Sequence, residues 1–180
     1  MDTEPADAVR ARNQALFARS LDLLEAGAVR EWVDLFAPDG VLEFSYPPPG
    51  VRARFAGHDA LYEHMKTFPD ELDLRFSGLT CHDAVDPDLV IAEFVGDGTA
   101  VPTGRTVHQT YLSVVRFRDG RIELFRDFWN PLVVIEALGG RPGALLLRLG
   151  RIVPPPRPRA RKASRARKRR RATTPAPDGR

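Results

Sequence analysis

Apolar residues change their spacing once along this chain, and the change separates a helical front from a stranded back. Over residues 5–26, Val9, Leu16, Phe17, Leu21, Leu23 and Leu24 recur at close to helical spacing. Acidic residues come early in that segment, where the positive end of a helix dipole favours them. Gly27 closes the helix. Residues 29–36 predict a second, shorter helix with Trp32, Val33, Leu35 and Phe36 as its apolar stripe, and Pro38-Asp39-Gly40 predicts a turn. Residues 41–46 read as a strand. Pro47-Pro48-Pro49-Gly50 lacks the amide donors of a central ladder, which predicts a loop or an edge crossing. Residues 57–68 predict a third helix, with Leu61, Met65 and Phe68 inward and His58-Asp59 near its start.

Beyond that point the period shortens to two. Residues 72–79, 89–95, 106–117 and 121–129 predict strands, joined by the segments 83–88 and 96–104 and by Asp119-Gly120, a strong hairpin signal. In the last strand Ile122, Leu124, Arg126 and Phe128 take one face and Glu123, Phe125, Asp127 and Trp129 the other. Both faces carry bulk, so the sheet is expected to be covered on both sides. Pro131 suits a helix start, and residues 132–138 predict a short closing helix before Gly139-Gly140. Helices first and antiparallel strands after them give an α+β class: a curved antiparallel sheet wrapped around three helices. Residues 144–153 read as an extension of the closing helix.

Charge divides the chain at the same end. Residues 1–140 hold 13 Lys/Arg against 23 Asp/Glu, and residues 141–180 hold 14 Lys/Arg against one acid, so the overall +3 is a difference between unlike parts. Residues 157–171 contain ten basic residues and no large apolar side chain, which predicts a disordered tail over 151–180 behind a folded domain over 1–150. Such a tail suits non-specific contact with nucleic acid or another polyanion, because the aromatics of a base-stacking surface are missing. The single cysteine, Cys81, excludes an intrachain disulfide and a multi-cysteine metal site. No apolar run is long enough for a membrane span, and the acidic start is unlike a secretory signal, so the expected compartment is the cytoplasm. No histidine pair has metal-ligand spacing, and no phosphate-binding glycine loop follows a strand; no metal and no cofactor are expected.

The words AGAVREWVDLFAPDGVLEF, FAGHDAL and RDGRIELFRDFWNPL, in this order, make the chain resemble the SnoaL-like proteins of the nuclear transport factor two-like superfamily over residues 5–140. The DFWNPL ending is most similar to the phenazine biosynthesis A/B branch. The resemblance implies a cone-shaped α+β barrel with a deep pocket, a homodimer through the outer sheet face, and, in the enzymes, cofactor-free acid/base chemistry on hydrophobic oxygenated metabolites, as in polyketide cyclases. Ketosteroid isomerase, the best-known enzyme of the superfamily, sets an Asp base against a Tyr and a protonated Asp. Ser20 falls at the position of that Tyr, Phe44 near the base and Ser113 at the oxyanion Asp, so that machinery is missing here. The acid that phenazine A/B proteins carry near the equivalent of His108 is missing as well.

If Ser113 faces the pocket, alternation turns Gln109 and Tyr111 the same way. The candidate base is then Asp127 or Glu93, its pKa raised by apolar neighbours. The candidate oxyanion donor is Tyr111 or Gln109, with Phe125 and Trp129 holding a flat ring and Tyr46 and His58 at the pocket mouth. Each has a structural alternative. Asp127 pairs with Arg75 or with Arg126 of a neighbouring copy, Glu93 sits in an ion pair, Tyr111 and the other aromatics are plain core, and His58 is a surface residue. His64 and His82 are expected on the surface and His108 off the pocket face. The alternative to an enzyme is a non-catalytic ligand-binding or dimerisation module.

Overall fold

The computed structural model describes residues 4–47 and 51–140. The predicted tail, the closing-helix extension and most of the proline loop lie outside the described residues. Helix α1 (Ala6–Glu25) opens the chain and α2 (Val29–Asp34) follows after Gly27, whose φ of 67° suits glycine. Strands β1 (Phe36–Phe44) and β2 (Arg54–Ala56) precede α3 (His58–Met65) and the single turn α4 (Phe68–Glu71). Three long strands, β3 (Leu72–His82), β4 (Leu89–Ala100) and β5 (Arg105–Arg118), then lead to β6 (Arg121–Phe128) and α5 (Pro131–Ala137). Among the described residues no helix is long and apolar enough to cross a membrane.

The α+β class is as expected, with two refinements. The six strands form one curved sheet in the order β2-β1-β6-β5-β4-β3, so β2 and β3 are free edges and the sheet does not close into a barrel. All pairings are antiparallel except β1 with β6, which is parallel. That pairing joins the first half of the chain to its end, and no local pattern announces it. The predicted turn at Pro38-Asp39-Gly40 is instead an irregularity inside β1, where the ladder to β6 slips between Phe36 and Val41. Strand β2 and helix α4 are additions to the sequence reading; both are too short to show a period.

The β5–β6 hairpin forms as predicted. Asp119 and Gly120 take φ of 53° and 72°, the paired left-handed conformation of the tightest hairpin turns. Beyond the turn, Arg116 pairs with Leu124 but Phe117 pairs with Ile122, which leaves Glu123 as an extra residue on β6. This bulge corrects the expected alternation. Ile122 is fully buried with Phe125 against α1, while Glu123 turns out to an ion pair with Arg118 at 2.6 Å. Asn130 caps α5, its side-chain oxygen accepting from the Leu132 amide at 3.0 Å.

The inner face of the sheet meets α1, α2 and α3 in a core centred on Phe17, Trp32, Phe36, Phe94 and Phe125. A second, smaller cluster sits under α5, around Leu74, Val107 and Val134. Helix α1 is tied to the β3–β4 connection by Asn13, whose amide donates to the Pro87 carbonyl and the Asp88 carboxylate, both at 3.1 Å.

Gly96 and Gly98, predicted as part of a connection, lie inside β4 because neighbouring atoms leave no room for a side chain. A Cβ on Gly98 would stand 1.9 Å from the Asp73 carbonyl oxygen of β3. Gly104→Ala meets no neighbour within 4 Å and carries only the strain of its φ of 67°. Urea melts are therefore expected to show Gly98→Ala losing about 3 kcal/mol or more and Gly104→Ala about 1 kcal/mol. Equal losses would mean that β3 and β4 do not approach as closely as this.

Candidate active site

Between the inner face of the sheet and helices α1 to α4 lies a cavity of about 150 Å³, walled mainly by aromatic and aliphatic side chains. Three strands deliver its polar centre. Phe44 of β1, Asp127 of β6 and Ser113 of β5 are successive partners across the ladder. Ser113 is fully buried and donates its hydroxyl to Asp127 Oδ1 at 2.7 Å. Tyr111, two residues back on the same face of β5, has 9% of its surface exposed. Its ring stacks on Phe94 with centroids 4.9 Å apart and planes within 7°. Its hydroxyl makes no side-chain hydrogen bond among the described residues.

Gly96 makes this packing feasible. A Cβ there would come within 3.0 Å of the Tyr111 ring and 3.2 Å of the Phe76 ring, so the missing side chain lets both lean over β4. Phe76 then meets Tyr111 edge to face at 6.0 Å, and Phe44 meets Trp129 the same way at 5.8 Å.

Asp127 is half-buried at the cavity wall, and no cation among the described residues pairs with it. Arg75 lies by Asp73 at 3.6 Å, so the ion pair with Arg75 considered for Asp127 does not form, and within the chain Arg126 is engaged by Glu43 at 2.7 Å. Removal from water pushes its carboxyl up to about 7, against smaller opposing effects of the Ser113 hydroxyl and the Phe128 amide. Burial, and then the Asp127 charge, push the Tyr111 phenol well above its ordinary value, so it keeps its proton.

Two further titratable groups line the cavity that sequence reasoning missed. Glu71 of α4 accepts from the Thr67 hydroxyl at 3.0 Å, and burial raises its carboxyl. Thr67 four residues before Glu71 is a recognisable helix-face pair, but one turn of helix hides it. His64 was expected on the surface. It is instead stacked on Phe55 with centroids 3.9 Å apart, and burial lowers its pKa to about 4, so it is neutral at pH 7. Its place three residues after inward-facing Leu61 was the available signal.

The remaining candidates divide. Phe125 and Trp129 line the cavity as expected. Gln109 faces inward and is buried, but its amide donates to the Thr110 carbonyl at 3.0 Å and it is not part of the cavity wall. Glu93 is a correction: in β4 the inward positions are Ala92 and Phe94, and Glu93 points outward to His82 Nε2 at 3.5 Å. Tyr46 is another, 64% exposed and set against Phe128 outside the cavity. His58 is a third, since its Nε2 lies 3.0 Å from the Phe36 carbonyl oxygen and holds α3 to β1. His108 is off the pocket face as predicted, beside Asp97 at 2.6 Å on the exposed side.

Comparison with known proteins agrees with this geometry. The SnoaL-like domain family matches residues 17–125. An uncharacterized PhzA/B-like protein of Pseudomonas aeruginosa is 52% identical over 125 residues, which is 69% of this chain and 89% of that protein. A solved Bacillus subtilis structure whose name carries a provisional isomerase assignment is 37% identical, covers 72% of this chain and 94% of its own, and has a TM-score of 0.70. A phenazine biosynthesis-related protein of Pseudomonas aeruginosa shares the fold at 22% identity and a TM-score of 0.63, over 75% of this chain and 90% of its own. With an α+β sheet cupping an aromatic cavity and a family match over most of its described residues, the chain belongs to the SnoaL-like domain family, within the nuclear transport factor two-like fold.

Proposed function

We propose that the protein is a cofactor-independent acid/base enzyme of the isomerase, cyclase or dehydratase class, acting on a hydrophobic oxygenated molecule of the kind secondary metabolism produces. The observation that carries this reading is Asp127: a carboxyl without an ion pair among the described residues, in an apolar wall, with its pKa lifted to about 7. A base poised near the working pH balances the fraction ionised against the strength with which it takes a proton. The Asp127 carboxylate removes a proton from the carbon beside a carbonyl. The C–H electron pair forms the new carbon–carbon double bond, the carbonyl π pair moves onto its oxygen, and the protonated Tyr111 donates a hydrogen bond to that oxyanion. Asp127 then returns the proton to a second position on the same molecule. Phe125 and Trp129 hold the ring flat, and Ser113 fixes one oxygen of the base so that the other is left to react.

A second reading is favoured by the outer sheet face. Ile91, Val95, Leu112, Val114, Leu124 and Phe128 are half-buried there in a single chain, framed by the Arg126–Glu43 and Arg116–Asp86 pairs. On this reading the chain is a homodimer through that face, and the basic segment 157–171 holds polyanions by charge alone. Light scattering of the full chain is expected to give twice the chain mass at low and high salt. Mixed-sequence duplex DNA is expected to be retained at about 50 mM salt and released by about 500 mM. A monomer at both salts, or retention that ignores salt, would count against it.

The enzymatic reading is tested with 5-nitrobenzisoxazole, a flat bicycle that opens to a coloured phenolate on losing one carbon-bound proton. Asp127→Asn is expected to slow this by about 10²–10³ and Tyr111→Phe by a smaller factor. The wild-type rate should rise with pH through a midpoint near 7, since only ionised Asp127 accepts a proton. Unchanged rates in Asp127→Asn would remove the base.

The same carboxyl makes a stability claim of definite sign. Folding raises its pKa from 3.8 to about 7, so the native state holds the proton more tightly, and stability falls as pH rises through that window. Asp127→Asn escapes the penalty. In urea melts it is expected to match wild type near pH 4 and to exceed it at pH 8 by up to about 4 kcal/mol; a less stable Asn variant at pH 8 would show that the carboxylate is paired.

A further inference from the structure

The cavity wall is one-sided in charge. Asp127 and Glu71 both line it, and no Lys or Arg among the described residues does. The cations of this part of the sheet are spent on the outside, Arg126 on Glu43, Arg118 on Asp39 and Glu123, and Arg116 on Asp86. An anionic ligand would therefore enter a low-dielectric space holding two acids and no counter-charge. A cation would find both counter-charges and a set of ring faces, since the Phe94 and Tyr111 rings stack in the wall and Phe44 and Trp129 stand edge to face. Ser113 donates to only one oxygen of Asp127, which leaves the carboxylate able to accept from an ammonium group. The enclosed volume of about 150 Å³ is that of a single six-membered ring.

Resting on the pocket reading above and narrowing its substrate class, we propose that the cavity selects a flat ring bearing a protonated amine, with Asp127 and Glu71 as its counter-charges, and refuses ring carboxylic acids. Asp127 and Glu71, the latter held by Thr67, supply the two negative charges that face the ammonium.

A proton linkage follows. Burial lifts both carboxyls, and in the empty cavity Asp127, pushed up to about 7, holds part of a proton near neutrality. A cation drives Asp127 to ionise and expels that proton, whereas a neutral ring does not. Affinity for the cation then rises with pH through about 7 until the amine itself titrates. The groups facing these acids do not alter the sign. Tyr111 and Ser113 approach Asp127 from β5 and stay neutral, His64 in the same wall is neutral above about 4, and Asp70 beside Glu71 adds negative charge only.

The test is titration calorimetry of the full chain with benzylamine, benzyl alcohol and benzoate, a cation, a neutral molecule and an anion of one shape. Phosphate and Tris buffers at pH 7, which differ in ionisation heat, report proton release. Benzylamine is expected to bind at least about tenfold more tightly than benzyl alcohol and to release a fraction of a proton, with no detectable heat from benzoate. Asp127→Asn is expected to bring benzylamine down to the level of benzyl alcohol, and Glu71→Gln to weaken it by less, each with its melting curve recorded as a check of folding. Benzoate binding as tightly as benzylamine, or all three binding alike, overturns the charge selectivity and leaves the pocket standing. Failure of all three to bind at millimolar concentration overturns the pocket reading and this proposal together.

Discussion

A carboxyl removed from water inside a wall of aromatic rings is the constraint on which the rest of this structure turns. Without an ion-pair partner among the described residues, Asp127 costs several kcal/mol when ionised. The fold tolerates it because the surrounding elements are held independently of it. The long β4–β5 ladder runs over twelve consecutive pairs, and the parallel pairing of β1 with β6 fixes the strand that carries the acid from its other side. One hydroxyl, from Ser113, is the only side-chain hydrogen bond it receives among the described residues. That is enough to orient the group and too little to neutralise it, the balance a reactive acid needs.

Small backbone features decide whether the acid faces the cavity. The bulge at Glu123 shifts β6 by one residue, so that Ile122 near the turn and Phe125 and Asp127 beyond it all face inward. Strict alternation from Ile122 would have turned Phe125 and Asp127 to the outer face and Arg126 to the inner one. Gly96 performs the matching task on β4, keeping the space that the Tyr111 and Phe76 rings occupy. The cavity is therefore a product of two local irregularities in an otherwise regular sheet.

Legibility in the sequence follows the range of the forces involved. The hairpin, the first helix and the α+β order were readable because turn chemistry and periodicity act within a few residues: Asp119-Gly120 takes its expected positive φ values, and Phe17 and Leu21 point into the core. The parallel β1–β6 ladder was not readable, since it joins segments some eighty residues apart with no mark in either. Tyr111 of β5, Phe125 and Asp127 of β6 and Trp129 just beyond it line the cavity, as strand alternation and the family resemblance implied. Glu93 was misplaced for the opposite reason: in LVIAEFV nearly every residue is apolar, and alternation in such a strand shows no face. Glu71 escaped because its helix is a single turn.

The row Phe44–Asp127–Ser113 also bears on how this chain relates to its better-known cousins. By the resemblance set out above, Phe44 stands near the catalytic base of ketosteroid isomerase and Ser113 at its oxyanion acid, and both positions here are without charge. The three residues are lateral neighbours on β1, β6 and β5, so the acid lies on the strand between those two positions rather than at either of them. Moving one carboxyl to the middle removes the division of labour between a base on one strand and a protonated acid on another. The hydroxyl of Ser113 bonds to Asp127 rather than being left free for a substrate oxygen. What remains to meet a developing negative charge is the Tyr111 phenol, raised in pKa and without a side-chain partner among the described residues. If Asp127 is the base as proposed, a single neutral donor opposite it stabilises an enolate less than two donors would. On that proposal the site would suit substrates whose proton is already acidified by their own structure, and an ammonium group close to the reacting carbon is one way for a substrate to bring that acidity with it.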